Sequence, residues 1–189
     1  MTKARLEAFS DGVIAILITI MVLELKVPHG PGLDELRPVL PVLGTYVMSF
    51  VFLGIYWANH HHLLHTLDRV SGAILWANLH LLFWLSLVPF TMSWMSENHF
   101  AALPTAAYGI VQLTSAIAYT ILEKTIIAEQ GPQSRLAAAV GKDVKGYVSM
   151  ALYLAGIPLA FVDPRFAFAL YATVSMLWLV PDRRIERRL

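Results

Sequence analysis

Six stretches of this chain are apolar and almost free of charge, and that pattern leaves few folds open to it. A helix needs about 20 largely apolar residues to cross a hydrocarbon core about 30 Å thick. Residues 12–23 hold Thr19 as their one conventional polar side chain and extend past Asp11 and Glu24. Residues 39–58 carry no charge, and 72–96 none apart from the titratable His80, with Pro89 predicting a late kink. Residues 105–122 are rich in small side chains that allow close helix packing. Residues 146–162 and 166–181 complete the set, and Asp163-Pro164-Arg165 between them predicts a tight antiparallel turn. The expectation is one all-α membrane domain over residues 1–189, with spans at 6–27, 39–63, 72–96, 105–123, 146–162 and 166–181.

Composition agrees. The chain is 57% hydrophobic and 14% charged, against about 45–50% and about 25% in soluble domains. With a mean hydropathy of +0.61, this excludes a water-soluble globular domain and a disordered chain. A net charge of +1 gives no electrostatic footprint for nucleic acid. The absence of cysteine excludes disulfides, thiolate metal sites and cysteine nucleophiles. Lys3 and Arg5 before an apolar run resemble a signal peptide, but Glu7 and Asp11 interrupt the boundary. No small-residue cleavage site follows, so the segment reads as a retained first helix.

Orientation follows from Lys and Arg, which collect in cytoplasmic loops. With six spans, one face holds eleven of them, four in the C-tail (Arg183, Arg184, Arg187, Arg188), and the other holds Lys26, Arg37 and Arg165. Both termini are therefore expected inside. The Pro- and Gly-rich 28–38 loop reads as an ordered external turn, and the polar 130–144 segment as a mobile cytoplasmic loop.

The first helix opens Arg5-Leu6-Glu7-Ala8-Phe9-Ser10-Asp11-Gly12, placing a cation, a hydroxyl and a carboxylate at the mouth of an apolar span. Such groups at membrane depth face the bundle interior, a partner or water. Ser10 and Asp11 have a simpler reading as helix caps. Further along, Ile16, Thr19, Ile20 and Leu23 share one face. That face suits lipid, or a narrow pore with hydrophobic constrictions.

A second cluster, Asn59, His60, His61, His62 and His65, follows Trp57 at the end of the second span. His61 and His65 have a metal-binding spacing but no third ligand in register, so the cluster reads as interfacial, with one or two histidines bonded to first-helix polar groups. Asn78 and His80 in the third span need partners, and Arg5, Ser10, Asp11 and His60–His62 are the candidates. No Gly-rich phosphate loop, nucleophile elbow, HExxH motif or TVGYG filter is present. Neither an enzyme nor a resident cofactor or metal is expected.

The run RLEAFSDG at residues 5–12, the helix that follows it and the WANHHH segment resemble the transmembrane protein 175 family of potassium channels. The family's Arg-x-x-x-Phe-Ser-Asp hallmark is matched by Arg5, Phe9, Ser10 and Asp11. The resemblance implies a prokaryotic, single-repeat, multi-pass member in the plasma membrane. It also implies a homotetramer whose first helices line a central pore passing potassium and other monovalent cations. Ile16 becomes the main constriction, Thr19 offers hydroxyl oxygens, and Ile20 and Leu23 share the pore face. Arg5, Ser10 and Asp11 then hold the first helix against the second and third. The alternatives are an ion- or proton-coupled carrier using Asp11, Glu24 and His60–His65, and a histidine-based metal protein or membrane enzyme.

Overall fold

The computed structural model describes residues 1–141 and 143–179. The expected charges at Lys142 and in the C-tail, and the last two residues of the sixth stretch, lie outside the described residues. All the regular structure described is helical. Helix α1 spans Lys3–Ile20 and continues as a 3₁₀ turn over Met21–Glu24. The others are α2 (Leu40–His65), α3 (Gly72–Ser86), α4 (Val88–Glu97), α5 (Ala102–Gln130), α6 (Arg135–Val140), α7 (Val144–Leu159) and α8 (Pro164–Leu179). Four segments, Lys3–Glu24, Leu40–His65, Gly72–Glu97 and Ala102–Gln130, are long and apolar enough to cross a membrane, and Val144–Leu159 is a shorter apolar helix.

The chain departs from its sequence reading in instructive places. The kink expected at Pro89 is a break at Leu87, two residues earlier. Proline lacks the N–H for the bond to Leu85 and disfavours helical geometry in the residue before it. Leu87 closes α3 through short-range bonds and α4 restarts at Val88. The 130–144 segment is not simply a loop. Ser134 caps α6 through the Ala137 amide, and Leu136 and Ala139 are buried against the bundle. The 28–38 turn contains a 3₁₀ turn at Leu33–Leu36, followed by an exposed Asp34–Arg37 pair at 3.2 Å.

Helix α1 and its 3₁₀ extension bury Leu6, Ser10, Ile14, Leu17 and Met21, spaced as one helical stripe, with α1 packed against α2 and α3. On the far side of the bundle α5 packs between α3 and α7. Here Tyr171 of α8 is cradled by two glycines. A Cβ on Gly109 of α5 would overlap the Tyr171 hydroxyl, and one on Gly156 of α7 would lie 2.5 Å from the ring. Gly109→Ala should therefore destabilise the chain by about 1–3 kcal/mol, the cost of overpacking a filled core. Thermal unfolding in detergent measures it. An unchanged midpoint would mean that Tyr171 shifts freely.

Contacts between helix ends give the bundle two faces. Lys3 Nζ donates to the His65 carbonyl at 2.5 Å, Gln130 donates to the Thr66 carbonyl at 2.6 Å, and Ser71 bonds Glu129. These contacts gather the start of α1, the end of α2, the start of α3 and the end of α5. At the opposite face Ser93 donates to Glu24 at 2.7 Å and Lys26 pairs with Glu97 at 3.0 Å. Among the described residues the first face holds Lys3, Arg5, Arg69, Lys124, Arg135 and Lys145, and the second Lys26, Arg37 and Arg165.

Candidate functional site

The buried stripe of α1 carries one polar residue, Ser10, and three helices meet on it. Asn78 of α3 donates from Nδ2 to Ser10 Oγ at 3.0 Å, and its Oδ1 lies 2.6 Å from Nε2 of His60 on α2. All three side chains are buried. With the carbonyl facing the ring, Nε2 carries the hydrogen and His60 is the donor. One amide thus answers two partners, joining α1, α2 and α3. One helical position along, Trp57 Nε1 donates to Asp11 Oδ1 at 3.0 Å, a second tie between α1 and α2.

These bonds discriminate between the readings of the first helix. Helix α1 starts at Lys3 with Thr2 as its N-cap, so Ser10 and Asp11 are mid-helix and cap nothing. Arg5 falls outside the network. It is exposed, one position round from buried Leu6, and its guanidinium has no partner among the described residues. Phe9 is exposed as well. His80 also stands apart, because two residues turn a helix by about 200° and carry it away from Asn78. It accepts instead from Trp84 Nε1 at 2.9 Å. Of the histidine cluster only His60 joins. His61 and His65 are exposed and stacked with centroids 6.2 Å apart, and among the described residues no group of three His, Asp or Glu is placed to hold a metal. The Asn59 carbonyl accepts from Tyr119 at 3.2 Å, and both residues line a separate cavity.

The outward side of α1 is the other half of the site. Ile16 is 60% exposed, Leu23 is 79% exposed, and Thr19 and Ile20 are exposed beside them. Ile14, on the stripe facing α2 and α3, is fully covered. The Thr19 hydroxyl donates to the Ala15 and Ile16 carbonyls, both at 3.0 Å. Its oxygen lone pairs remain available on the outward face. The outward side is therefore an aliphatic strip bearing one hydroxyl, backed by a hydrogen-bonded root. The sequence reading names Trp57 only as the head of the WANHHH segment, without its bond to Asp11.

Relatives give this arrangement a context. A family model described as the endosomal/lysosomal potassium channel TMEM175 matches residues 5–89, a range that holds α1 but for its first two residues, the network and the α3–α4 break. A protein of Chryseobacterium sp. named as a potassium channel is 54% identical over 189 residues, covering 100% of this chain and 98% of the relative. The chain belongs to the TMEM175 family. A Streptomyces collinus relative, also named as a potassium channel, is 37% identical over 131 residues, 64% of this chain and 62% of the relative. Among solved structures, the lysosomal potassium-selective channel TMEM175 homologue from Chamaesiphon minutus superposes with a TM-score of 0.81. That match has 26% identity and covers 96% of this chain and 98% of the other. TMEM175 is a family of membrane channels rather than enzymes, and channel chemistry calls for no enzymatic cofactor.

Proposed function

We propose that the chain is one subunit of a homotetrameric, passive, potassium-preferring cation channel in a bacterial plasma membrane. In this reading it crosses the bilayer six times as a single domain over residues 1–189, with both termini cytoplasmic. The observation that carries the pore assignment is the exposed strip of α1. Ile16, Thr19, Ile20 and Leu23 are exposed on the single subunit, while the opposite stripe is pinned by Ser10, Asn78 and His60. One helix cannot enclose a pore, so several copies of α1 must face one another, and the TMEM175 relatives named as potassium channels supply the ion. Ile16 forms the main constriction, where aliphatic walls exclude water unless the pore widens. Thr19 offers oxygen to a partly dehydrated cation. The excess of Lys and Arg on the face holding the start of α1 supports the orientation.

The carrier reading needs Asp11 and Glu24 to work together with the histidines. They sit thirteen residues apart on one rod, so about 20 Å separates them. Asp11 is engaged by Trp57 and Glu24 by Ser93 on the opposite face. No shared coupling site results.

Potassium flux from liposomes against a sodium counter-gradient tests the proposal. Wild-type flux should rise without saturating and need no co-ion. Thr19→Ala should leave assembly intact and reduce discrimination between potassium and sodium several-fold. Saturating, coupled transport would replace the channel with a carrier, and cross-linking that stops at dimers would remove the tetramer.

A further inference from the structure

His80 is a titratable side chain exposed on the outside of α3, between two large aromatics. Trp76 is 73% exposed and Phe83 55% exposed, and the three share one helix face at four- and three-residue spacing. The aromatics alone would suit lipid tails. The imidazole does not, because ionisable side chains inside a bilayer turn toward protein or water. Its Nε2 accepts from Trp84 Nε1 at 2.9 Å, so in the neutral ring Nδ1 carries the hydrogen. That donor has no partner among the described residues. Left unanswered in hydrocarbon, it is costly.

An acceptor stands at the same depth elsewhere on the subunit. Asp11 is half-buried, its Oδ1 takes the Trp57 hydrogen, and its Oδ2 has no partner among the described residues. Helices α1 and α3 run the same way from the face that gathers their starts. Ser10 and Asn78, bonded across them, mark one level. At 1.5 Å per residue, Asp11 lies about 1.5 Å beyond that level and His80 about 3 Å beyond it. Thr19, the hydroxyl on the outward strip, lies about 13 Å beyond. Within one subunit the two groups do not meet. His80 is turned about 200° round α3 from Asn78, which is the side chain that reaches α1.

We propose that the α3 face of Trp76, His80 and Phe83 seats on the α1–α2 flank of a neighbouring copy of this chain, with His80 Nδ1 donating to Oδ2 of that copy's Asp11. This deepens the tetramer reading, and only the closure of the ring rests on it. A head-to-tail contact closes into a ring when each subunit carries both complementary halves. This chain carries both, a donor face on α3 and an acceptor on α1. Phe9 and Asp11 lie about 100° to either side of Ser10 on α1. Trp57 covers the Asp11 side, and Phe9 is exposed on the other. With the strip from Ile16 to Leu23 turned to a central axis, those two flanks face the neighbours. A ring N–H on a carboxylate is a charge-assisted bond, stronger than a neutral pair. Asp11 then answers Trp57 inside its own subunit and His80 across the boundary. The tie that fixes the rotation of one α1 thus ends on the next subunit.

The chain has no cysteine, so engineered pairs report contacts without background. His80→Cys combined with Asp11→Cys, oxidised in native membranes, should give disulfides between chains, seen as a ladder above the monomer on a non-reducing gel. Each single variant should stay at the monomer. Asp11→Asn keeps an oxygen for Trp57 and loses the charge, and His80→Leu removes the donor. Each should weaken subunit association about three- to tenfold per interface. Together they should do no more than the stronger of them alone. This cycle decides the contact if the cysteine pair fails to fold. No interchain disulfide, with association unchanged or the two effects simply additive, would overturn the contact. Light scattering of the wild type sizes the assembly separately. Four copies without the disulfide would leave the tetramer standing and remove this interface. Two copies with the disulfide would remove the ring and uphold the pairing of His80 with Asp11.

Discussion

Ile16→Asn is expected to raise potassium flux about tenfold or more and to bring potassium and sodium permeation close to equal. The size follows from the nature of an aliphatic constriction. In the proposed tetrameric pore its barrier is the loss of water around the ion where no wall atom replaces it, and an amide at each symmetry-related position would restore hydrogen bonding to water and cation alike. Lowering such a barrier by about 1.4 kcal/mol is already tenfold in rate. The control is built into the helix. Ile14 is two positions away on the covered stripe, so Ile14→Asn buries an unanswered amide against α2 and α3 and should cost stability without freeing the pore. Liposome flux and thermal unfolding of both variants form the measurement. Equal flux and equal selectivity in Ile16→Asn and wild type would take the constriction away from Ile16.

Asn78→Leu should be the most damaging conservative change at the root of α1, at about 1–3 kcal/mol with loss of assembled, conducting protein. Leucine keeps the branched shape and the number of side-chain heavy atoms, so much of the cost arises from two stranded groups. His60 loses the acceptor for its Nε2 hydrogen, and Ser10 loses its donor. A buried polar group left unmatched costs about 1–3 kcal/mol, whereas one interhelical hydrogen bond in a membrane contributes on average about 0.6 kcal/mol. The stranded partner therefore sets the magnitude. Combining Asn78→Leu with Ser10→Ala tests the unit. The two changes should cost less together than the sum of each alone, and simple additivity would show that Ser10 and Asn78 act independently.

Much of the site was readable because a helix has a fixed period. Ser10 and Ile14 are four apart and Ile16 and Thr19 are three apart, so inward and outward sides separate on paper before any packing is known. The partners of Asn78 narrow to a short set containing Ser10 and His60, since membrane depth leaves few places for a buried amide. The same geometry excludes His80, which the sequence reading grouped with Asn78 although two residues put it on another side. Composition misled in the 130–144 segment. Ser, Gln and Gly there signal a loop, and only the tertiary contacts of Leu136 and Ala139 reveal α6. The cradle around Tyr171 was illegible for another reason. Gly109, Gly156 and Tyr171 sit on three helices, and their meeting depends on inter-helix register that no local pattern encodes.

The two ends of α1 are held by different kinds of force, which gives the helix the mechanics of a cantilever. At the root, directional bonds through Ser10 and Asp11 fix both position and rotation. Toward the tip the hold passes to Met21, a pliable thioether in a packed site, and to two exposed contacts, Ser93 with Glu24 and Lys26 with Glu97, which resist displacement more weakly than the buried bonds of the root. Thermal deflection of such a beam grows with distance from its clamp. In the proposed pore, the ring of Ile16 side chains should then keep the steadiest radius, and the mouth at Leu23 should breathe most. Amide exchange accelerating from Ile14 toward Glu24 would record that gradient directly, and uniform exchange along α1 would contradict it.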